Sequence, residues 1–284
     1  MVNIIEPVKQ EFPNLHIDTR LARDILVGFV KSEIERVGFK HAVLGLSGGI
    51  DSALSCFLAA EAMGPENVLA VRLPYRLSSQ ESYDHAQLVI DQLGVQTRTI
   101  DISPIADGLI NQIPDMNRMR QANIMSRSRM ICLYDQSAEF DALVVGTCNK
   151  TEILLGYSTL YGDSACAINP IGDLYKTQVR ELSRAMGVPD IIIDKAPTAD
   201  LWAGQTDEGE LGFTYAEVDR LLFLLIDERY RPEECIAAGF DADFVHQVIA
   251  RVQRNHFKRI LPPIAKISHR TIGYDYLYLR DWGT

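Results

Sequence analysis

A stretch near the start of the chain, residues 41–64, constrains the fold more than any other. It reads HAVLGLSGGIDSALSCFLAAEAMG, which is an apolar run (41–46), a glycine-containing turn, and a helical stretch (52–63) that stops at Gly64. An apolar run without polar alternation is typical of a strand that is covered on both faces, as in a parallel sheet. A helix directly after such a strand predicts a β–α unit rather than a hairpin.

The same alternation continues along the chain. Apolar runs predict further strands, and a 3.6-residue period with glycine stops predicts helices. The strands are 68–73, 95–102 and 141–147, and the helices are 19–37, 80–93, 103–113, 123–138, 176–187, 214–227 and 241–254. Because 95–102 alternates in polarity, we place this strand nearer an edge. The order predicts an α/β fold, a doubly wound, mostly parallel sheet with helices on both faces.

Two segments lack a clear period. Residues 156–175 contain many Gly and Pro and predict loops, whereas 195–212 is polar and predicts a mobile loop or lid. No internal repeat or low-complexity linker divides the 284 residues. We therefore expect a single domain over 1–284, with an aromatic-rich C-terminal tail at 266–284 that packs on the body or on a partner.

Composition and charge exclude several classes of protein. The chain has 28 Lys and Arg against 38 Asp and Glu, a net charge of −10, which argues against nucleic-acid binding because phosphate backbones require clustered basic residues. The first residues lack the pattern of a signal peptide, and no apolar stretch is long enough to span a membrane. The five cysteines form no C-x-x-C pair, so we expect reduced thiols in a cytoplasmic protein.

The turn at 47–51 has the composition of an anion-binding loop. Gly48 and Gly49 allow a sharp turn and a close approach of the backbone to a ligand. The following helix directs unpaired N–H groups and its positive dipole end at the same space, and Ser47 and Ser52 add hydroxyl groups. Asp51 would repel a phosphate unless it holds Mg²⁺, which bridges carboxylate and phosphate oxygens.

Other interpretations of this turn fit less well. The loop lacks the Gly-Lys-Ser/Thr ending of a Walker loop and the G-x-G-x-x-G pattern of a Rossmann dinucleotide loop. Each residue taken alone is also compatible with a simple helix N-cap after a flexible turn. The full string S-G-G-x-D-S between a buried strand and a helix favours a phosphate or pyrophosphate site.

This string resembles the pyrophosphate loop of the N-type ATP pyrophosphatases, Rossmann-like enzymes that split ATP between its α and β phosphates. Three later segments look like the NAD synthetase family: VVGTCNKTEILLGYSTLYGD (144–163), NPIGDLYKTQVREL (169–182) and KAPTADLWAGQTDEGELGFTYAEVD (195–219). The resemblance runs from about residue 20 to 265. It implies a C–N-forming ligase that adenylates deamido-NAD with ATP, releases pyrophosphate, and then lets ammonia displace AMP to give NAD.

The resemblance also implies roles for individual residues. It assigns ATP to Gly45, Leu46, Ser47, Gly48, Gly49, Ile50, Asp51, Ser52, Thr147, Lys176 and Thr198. It assigns Mg²⁺ to Asp51 and Glu152, and deamido-NAD to Arg127, Leu160, Ala167 and Lys258. Asp51 and Lys176 are thereby expected to take part in catalysis. We further hypothesise that Asp163 binds or deprotonates ammonium.

The acceptor half departs from the family pattern. The bacterial ammonia-dependent enzymes have T-K-Y-G-D-G-G-x-D where this chain has TLYGDSACA (159–167), so Leu160 replaces a lysine and Ala167 an aspartate. TLYGD also resembles the synthetase domain of the glutamine-dependent NAD synthetases. We expect no glutaminase domain here because the loop already begins at residue 47. Free ammonia or a separate partner protein would then supply the nitrogen.

Two other functions stay open from the sequence. One is a related ATP pyrophosphatase that adenylates a different acceptor and forms an amide or transfers sulfur. The other is a nucleotide-binding regulator without catalysis, against which the retention of Asp51, Glu152 and Lys176 argues. The resemblance further implies a homodimer with the dinucleotide site partly at the dimer interface. The apolar pattern of helix 19–37 is compatible with a contribution to that interface and equally with an ordinary core helix.

Overall fold

The computed structural model describes residues 15–198, 202 and 206–276. In this part of the chain one parallel sheet contains the strands β1 (His41–Gly45), β2 (Val68–Arg72), β3 (Gln96–Thr99) and β4 (Ala142–Val144). Their order across the sheet is β3-β2-β1-β4, and every neighbouring pair is parallel. Strand β3 is an exposed edge strand, as its alternating polarity predicts.

Helices connect the strands and cover both faces of the sheet. They are α1 (Thr19–Arg36), α2 (Ile50–Met63), α3 (Gln80–Leu93), α4 (Ser103–Ile110), α5 (Arg118–Glu139), α6 (Lys150–Leu155), α7 (Lys176–Met186), α8 (Asp190–Ile193), α9 (Asp207–Leu211), α10 (Tyr215–Leu222), α11 (Pro232–Ala237) and α12 (Ala242–Arg254). One apolar cluster joins α1, α2, α3 and α7 to the sheet, and a second joins α4 and α5 to it. The predicted doubly wound α/β class is therefore confirmed.

A third apolar cluster lies away from the sheet. It is built around Tyr215, Val218, Cys235 and Val245 and includes Leu155 of α6. We call α6, α10, α11 and α12 the helical lobe. The lobe packs on the sheet region because α10 contacts α7.

Several element boundaries differ from the prediction for local reasons. Helix α5 begins at Arg118 rather than at 123, because the Asn117 side chain caps it by accepting from the Arg120 N–H. Strand β4 ends at Val144, and Val145 instead pairs with Ile168 from the following loop. The predicted helix 214–227 is α10 followed by one π-helical turn, Phe223–Asp227. The short helices α6, α8 and α11 are too brief to show a period.

The predicted lid and tail lie partly outside the described residues. Within 195–212 the structure describes 195–198, 202 and 206–212, which include α9. Within the tail it describes 266–276, a turn that an ion pair between Lys266 and Asp275 closes. Among the described helices, none is long and apolar enough to cross a bilayer.

The strand order places a crevice at the middle of the sheet. From β1 the chain proceeds to β2 on one side, whereas β4 lies on the other side of β1. In open α/β sheets, ligands bind beyond the carboxyl ends of the strands at such a switch point. The loops that follow β1 (46–49) and β4 (145–149) therefore face each other across this crevice.

Candidate active site

The loop after β1 is held by its own two serines. Ser52 Oγ donates to the Gly49 carbonyl at 2.9 Å and lies 3.0 Å from Ser47 Oγ, which accepts from the Gly49 N–H at 3.3 Å. Gly49 is the N-cap of α2 and has no side chain to cap the first turn. Because the first amides of a helix have no intrahelical partner, they are available to an anion.

Gly48 allows this loop to pack on the first turn of α3. Its φ is +81°, and a Cβ at this position would lie 2.1 Å from the carbonyl oxygen of Ser82. Both the backbone conformation and the contact with a main-chain atom therefore require glycine.

Three charged side chains meet beside the loop. Lys176 Nζ donates to Asp51 Oδ2 and lies 3.4 Å from Glu152 Oε1. Its side chain is only 3% exposed and lies over the Tyr215 ring, with Nζ 5.1 Å from the ring centroid. We call Asp51, Glu152 and Lys176 the charged cluster. It joins α2, α6 and α7.

Asn149 fixes the two carboxylates relative to each other. Its side-chain amide donates to Asp51 Oδ1 at 2.9 Å, and its oxygen accepts from the Glu152 N–H at 3.0 Å. The Glu152 carboxylate in turn accepts from the Asn149 N–H, which completes a capping box at the start of α6.

Burial and mutual repulsion shape the protonation of this cluster. Burial, with the nearby Asp51 charge, raises the pKa of Glu152 to about 8, although Lys176 opposes this effect. Burial alone would lower the pKa of Lys176, but the charges of Asp51 and Glu152 more than offset it, so the pKa is raised and the side chain stays charged.

The carboxylate pair fits a bound Mg²⁺. Asp51 and Glu152 share one ammonium group, and a bound cation would favour the ionised form of Glu152, whose pKa is raised by burial. Among the residues that the structure describes, no third His, Cys, Asp or Glu completes an all-protein metal cluster. Mg²⁺ commonly uses only one or two carboxylates and takes its remaining ligands from water and substrate phosphates.

The N-termini of α6 and α7 differ from that of α2 because side-chain oxygens already accept hydrogen bonds from N–H groups there. Besides the capping box of α6, the buried carboxylate of Asp219 accepts from the Thr177 N–H at 2.8 Å and from the Thr151 hydroxyl at 2.6 Å. Thr151 Oγ1 also accepts from the Lys176 N–H at 3.0 Å. Of these three helix starts, that of α2 is therefore the one suited to an anion.

A cavity of about 1160 Å³ joins the loop, the charged cluster and the helical lobe. The predicted site residues that line it are Gly45, Leu46, Ser47, Gly49, Ile50, Asp51, Ser52, Thr147, Glu152, Asp163, Lys176, Thr198 and Lys258. Trp202 lines it as well, so the predicted lid segment reaches the cavity. Gly48, Arg127, Leu160 and Ala167 are not part of its lining.

The far end of the cavity is a loop, 156–168, that other elements hold mostly through its backbone. Lys258 Nζ donates to the carbonyls of Gly156 and Ser158, both at 2.7 Å. Arg127, which is exposed on α5, donates to the Leu160 carbonyl with two nitrogens at 3.2 Å. We call residues 156–168 the acceptor loop.

Asp163 is anchored within the acceptor loop. Its Oδ1 accepts from the Ser126 hydroxyl at 2.7 Å and from the Thr159 N–H at 2.9 Å, and its own N–H donates to Ser126 Oγ at 2.9 Å. Among the described residues, no hydrogen bond to its second carboxylate oxygen is found. That oxygen can therefore accept from a ligand.

The sequence predictions missed three side chains that shape this site. Asn149 has a recognisable signal, the N-x-x-E spacing of a capping box ahead of an apolar run. Asp219 has no such signal, because an Asp in a helical segment normally predicts an exposed charge. Its burial follows only from the packing of α10. Lys195, which lines the cavity, stands in the KAPT segment, for which the sequence predicts only a mobile loop or lid.

An open helix start at the switch point of a parallel sheet, with a carboxylate pair beside it, is typical of a Rossmann-like α/β fold of the ATP pyrophosphatase type. The sequence model of the NAD synthase family matches residues 23–262. The chain therefore belongs to the NAD synthase family.

Individual relatives agree with this family. The chain is 59% identical over 269 residues to the NH3-dependent NAD(+) synthetase of Trichlorobacter lovleyi, an alignment that covers 95% of this chain and 98% of the relative. Among solved structures, it resembles NMN synthetase from Francisella tularensis (32% identity, TM-score 0.78, covering 88% of this chain and 99% of that one). It also resembles NH3-dependent NAD synthetase from Campylobacter jejuni (32% identity, TM-score 0.75, covering 88% and 100%).

Proposed function

We propose that this chain is an ammonia-dependent NAD synthetase, a ligase that converts deamido-NAD to NAD and ATP to AMP and pyrophosphate. The observation that carries the proposal is a single cavity in which the open start of α2 and the charged cluster lie at one end and the acceptor loop at the other. This arrangement holds a triphosphate and a carboxylate acceptor side by side, which is the requirement for adenylation.

The ATP end acts by position and charge. The first amides of α2 and the hydroxyls of Ser47 and Ser52 bind phosphate oxygens, with Thr147 and Thr198 as further contacts from the opposite wall. Lys176 remains charged beside Asp51, and in this proposal its ammonium group faces the α-phosphate. It stabilises the negative charge that develops when the acceptor carboxylate attacks phosphorus.

Mg²⁺ belongs to this proposal because the donor set fits it. Asp51 and Glu152 would hold the ion against the phosphates. When bound, it neutralises phosphate charge. Asn149 keeps both carboxylates in place through its hydrogen bonds to the Asp51 side chain and the Glu152 backbone.

At the acceptor end, Asp163 is the proposed ammonium-binding residue. Its anchored Oδ1 fixes the orientation of the carboxylate, and the second oxygen accepts a hydrogen bond from ammonium. The same oxygen accepts a proton from ammonium, and the ammonia so formed attacks the carbonyl carbon of the acyl adenylate and displaces AMP. Lys258 and Arg127 shape the acceptor loop around deamido-NAD through the loop's carbonyl groups.

The direct test is to incubate the pure chain with ATP, Mg²⁺, ammonium and deamido-NAD. We expect NAD and AMP in equal amounts, and no product when ammonium is left out. Formation of ADP instead of AMP, or AMP without NAD, would contradict the proposal. The second outcome would favour the alternative open from the sequence, a pyrophosphatase with a different acceptor.

A homodimer in the cytoplasm completes the proposal. Helix α1 exposes Leu21 and Ile25, which are 57% and 59% accessible and lie one turn apart, a pattern suited to a partner surface. Five cysteines without a disulfide fit a reducing compartment. Light scattering should give the mass of a dimer, and Ile25→Asp should shift it toward the monomer. A monomeric wild-type chain at micromolar concentration would exclude the dimer.

A further inference from the structure

Lys195 is a cavity-lining cation to which the family pattern gave no role. It follows the short helix α8, whose Ile192 and Ile193 are buried in the apolar cluster below the sheet. Its side chain is only 12% exposed, so the position of its ammonium group is restricted. Such a group is held in place before any ligand arrives.

The ammonium group of Lys195 lies next to the phosphate loop. Its Nζ donates to Ser82 Oγ at 3.1 Å, and the carbonyl of the same Ser82 lies against Gly48. One residue, Ser82, therefore separates Lys195 from the loop. The second partner of Nζ is Glu81 Oε2 at 3.2 Å, whose side chain is 60% exposed and thus holds the lysine only weakly.

The charged cluster does not by itself provide excess positive charge. Lys176 contacts two carboxylates, so its charge is already balanced. Three other basic residues that line the cavity donate to protein groups, Arg72 to Gln87, Arg129 to the Leu73 carbonyl and Lys258 to the acceptor loop. Lys195 is thus a largely buried cation on the α3 side of the loop, where it can add to the charge that Mg²⁺ would supply to a triphosphate.

We propose that Lys195 binds the terminal phosphates of ATP and stabilises the pyrophosphate as it leaves. When the acceptor oxygen bonds to the α-phosphorus, the bond from that phosphorus to the bridging oxygen breaks. Its electron pair leaves with the pyrophosphate, whose negative charge rises. Lys195 donates to this group and exchanges its weak contact with Glu81 for a phosphate oxygen.

The proposal rests on the proposed ATP site and is tested by binding, without an acceptor. With Mg²⁺ present, Lys195→Met should raise the Kd for ATP and for pyrophosphate about 10- to 100-fold, the range expected for a charge-assisted hydrogen bond. The Kd for AMP, which has no terminal phosphates, should stay unchanged. Lys195→Arg should recover most of the ATP affinity.

Lys150→Met is the matched control. Lys150 is buried to a similar degree, with 15% of its side chain exposed, and it also pairs with carboxylates, those of Asp173 and Asp227. It does not line the cavity. Its replacement should leave the ratio of the ATP and AMP dissociation constants unchanged.

If the wild-type chain binds ATP, two results would overturn the role of Lys195. If Lys195→Met raises the Kd for ATP and the Kd for AMP equally, the side chain only supports the local fold. If neither Kd rises, the side chain does not contact phosphate. Failure of the wild-type chain to bind ATP would overturn the ATP site itself, and the role of Lys195 with it.

Discussion

The two ends of the cavity are built in different ways. At the ATP end, side chains from α2, α6 and α7 contact one another directly, as Asp51, Asn149 and Lys176 do. At the acceptor end, side chains from α5 and the segment after α12 mostly bind backbone carbonyls of a loop. The first arrangement depends on the identity of every member. The second tolerates substitution, because a carbonyl is the same in any residue.

This difference accounts for the position of the unusual residues. Leu160 departs from the family pattern, yet its carbonyl still accepts from Arg127. Ala167 donates its N–H to the Val144 carbonyl, another contact that needs no particular side chain. Asp163, whose side chain is itself bonded to Ser126, is retained. The acceptor loop can therefore keep its shape while its side chains vary.

The largest effect is expected from Lys176→Met at the ATP end. The substitution removes the positive charge that we propose acts on the α-phosphate, and it leaves two carboxylates without their shared partner. We expect kcat/KM for NAD formation to fall by about 10²- to 10³-fold or more, as for other transition-state donors. Circular dichroism and the AMP dissociation constant would show whether the fold persists. A loss below tenfold would contradict the proposed role.

Gly48→Ala tests how rigid the ATP end is. The added Cβ meets the main-chain oxygen of Ser82, and the φ of +81° is itself unfavourable for alanine. We expect a loss of about 2–4 kcal/mol in the free energy of unfolding, from left-handed strain plus overpacking. The matched control is Gly212→Ala, where φ is +83° but no atom lies within 4 Å of the new Cβ.

In Gly212→Ala only the strain of the left-handed backbone remains. We expect the free energy of unfolding to fall by about 1 kcal/mol. Denaturant unfolding of the two variants would measure the difference. Equal losses would mean that the loop and α3 move apart easily, so that the ATP end is no more rigid than the acceptor loop.

Asp163→Asn tests the negative charge of Asp163 separately from its role in anchoring the acceptor loop. Asparagine keeps an oxygen that accepts from Ser126 and the Thr159 N–H, but it presents an amide group where the second carboxylate oxygen was. We expect KM for ammonium to rise about 10- to 100-fold, with unchanged ATP affinity. Unchanged ammonium KM with normal ATP turnover would exclude this role for Asp163.

Ser126→Ala is the counterpart of that variant. It keeps the carboxylate of Asp163 but removes the hydroxyl that both accepts from the Asp163 N–H and donates to its side chain. A looser acceptor loop should raise KM for deamido-NAD several-fold, in line with the loss of about 1 kcal/mol per hydrogen bond. A rise in KM for ammonium alone, with KM for deamido-NAD unchanged, would show that the acceptor loop does not position the dinucleotide.

The local fold at the ATP end was easier to predict from the sequence than the contacts between distant segments. Between β1 and α2, strand pattern, glycine turn and helix start are consecutive, so residues 45–52 could be placed from local rules. The partners of Lys176, by contrast, are Asp51 of α2, Glu152 of α6 and Tyr215 of α10, and only the fold brings these helices together. Asp219 could not be assigned, because its role depends on α10 packing against the starts of α6 and α7.

The acceptor residues were predicted by resemblance to side chains that bind the dinucleotide, and the structure gives two of them a different setting. Arg127 and Leu160 contact each other through a carbonyl and lie outside the cavity lining. We propose that they reach deamido-NAD in the homodimer, where the partner subunit forms part of the dinucleotide site, and a pattern within one chain does not contain that contact.

Leu160→Lys, which restores the residue of the family pattern, is expected to have the smallest effect. The Leu160 side chain is only half-buried and outside the cavity lining, and its carbonyl contact with Arg127 remains in the variant. An exposed lysine contributes little to binding, so KM for deamido-NAD should change by no more than about fivefold. A large gain for deamido-NAD would mean that this side chain touches the acceptor, and that the loop does not work through its backbone only.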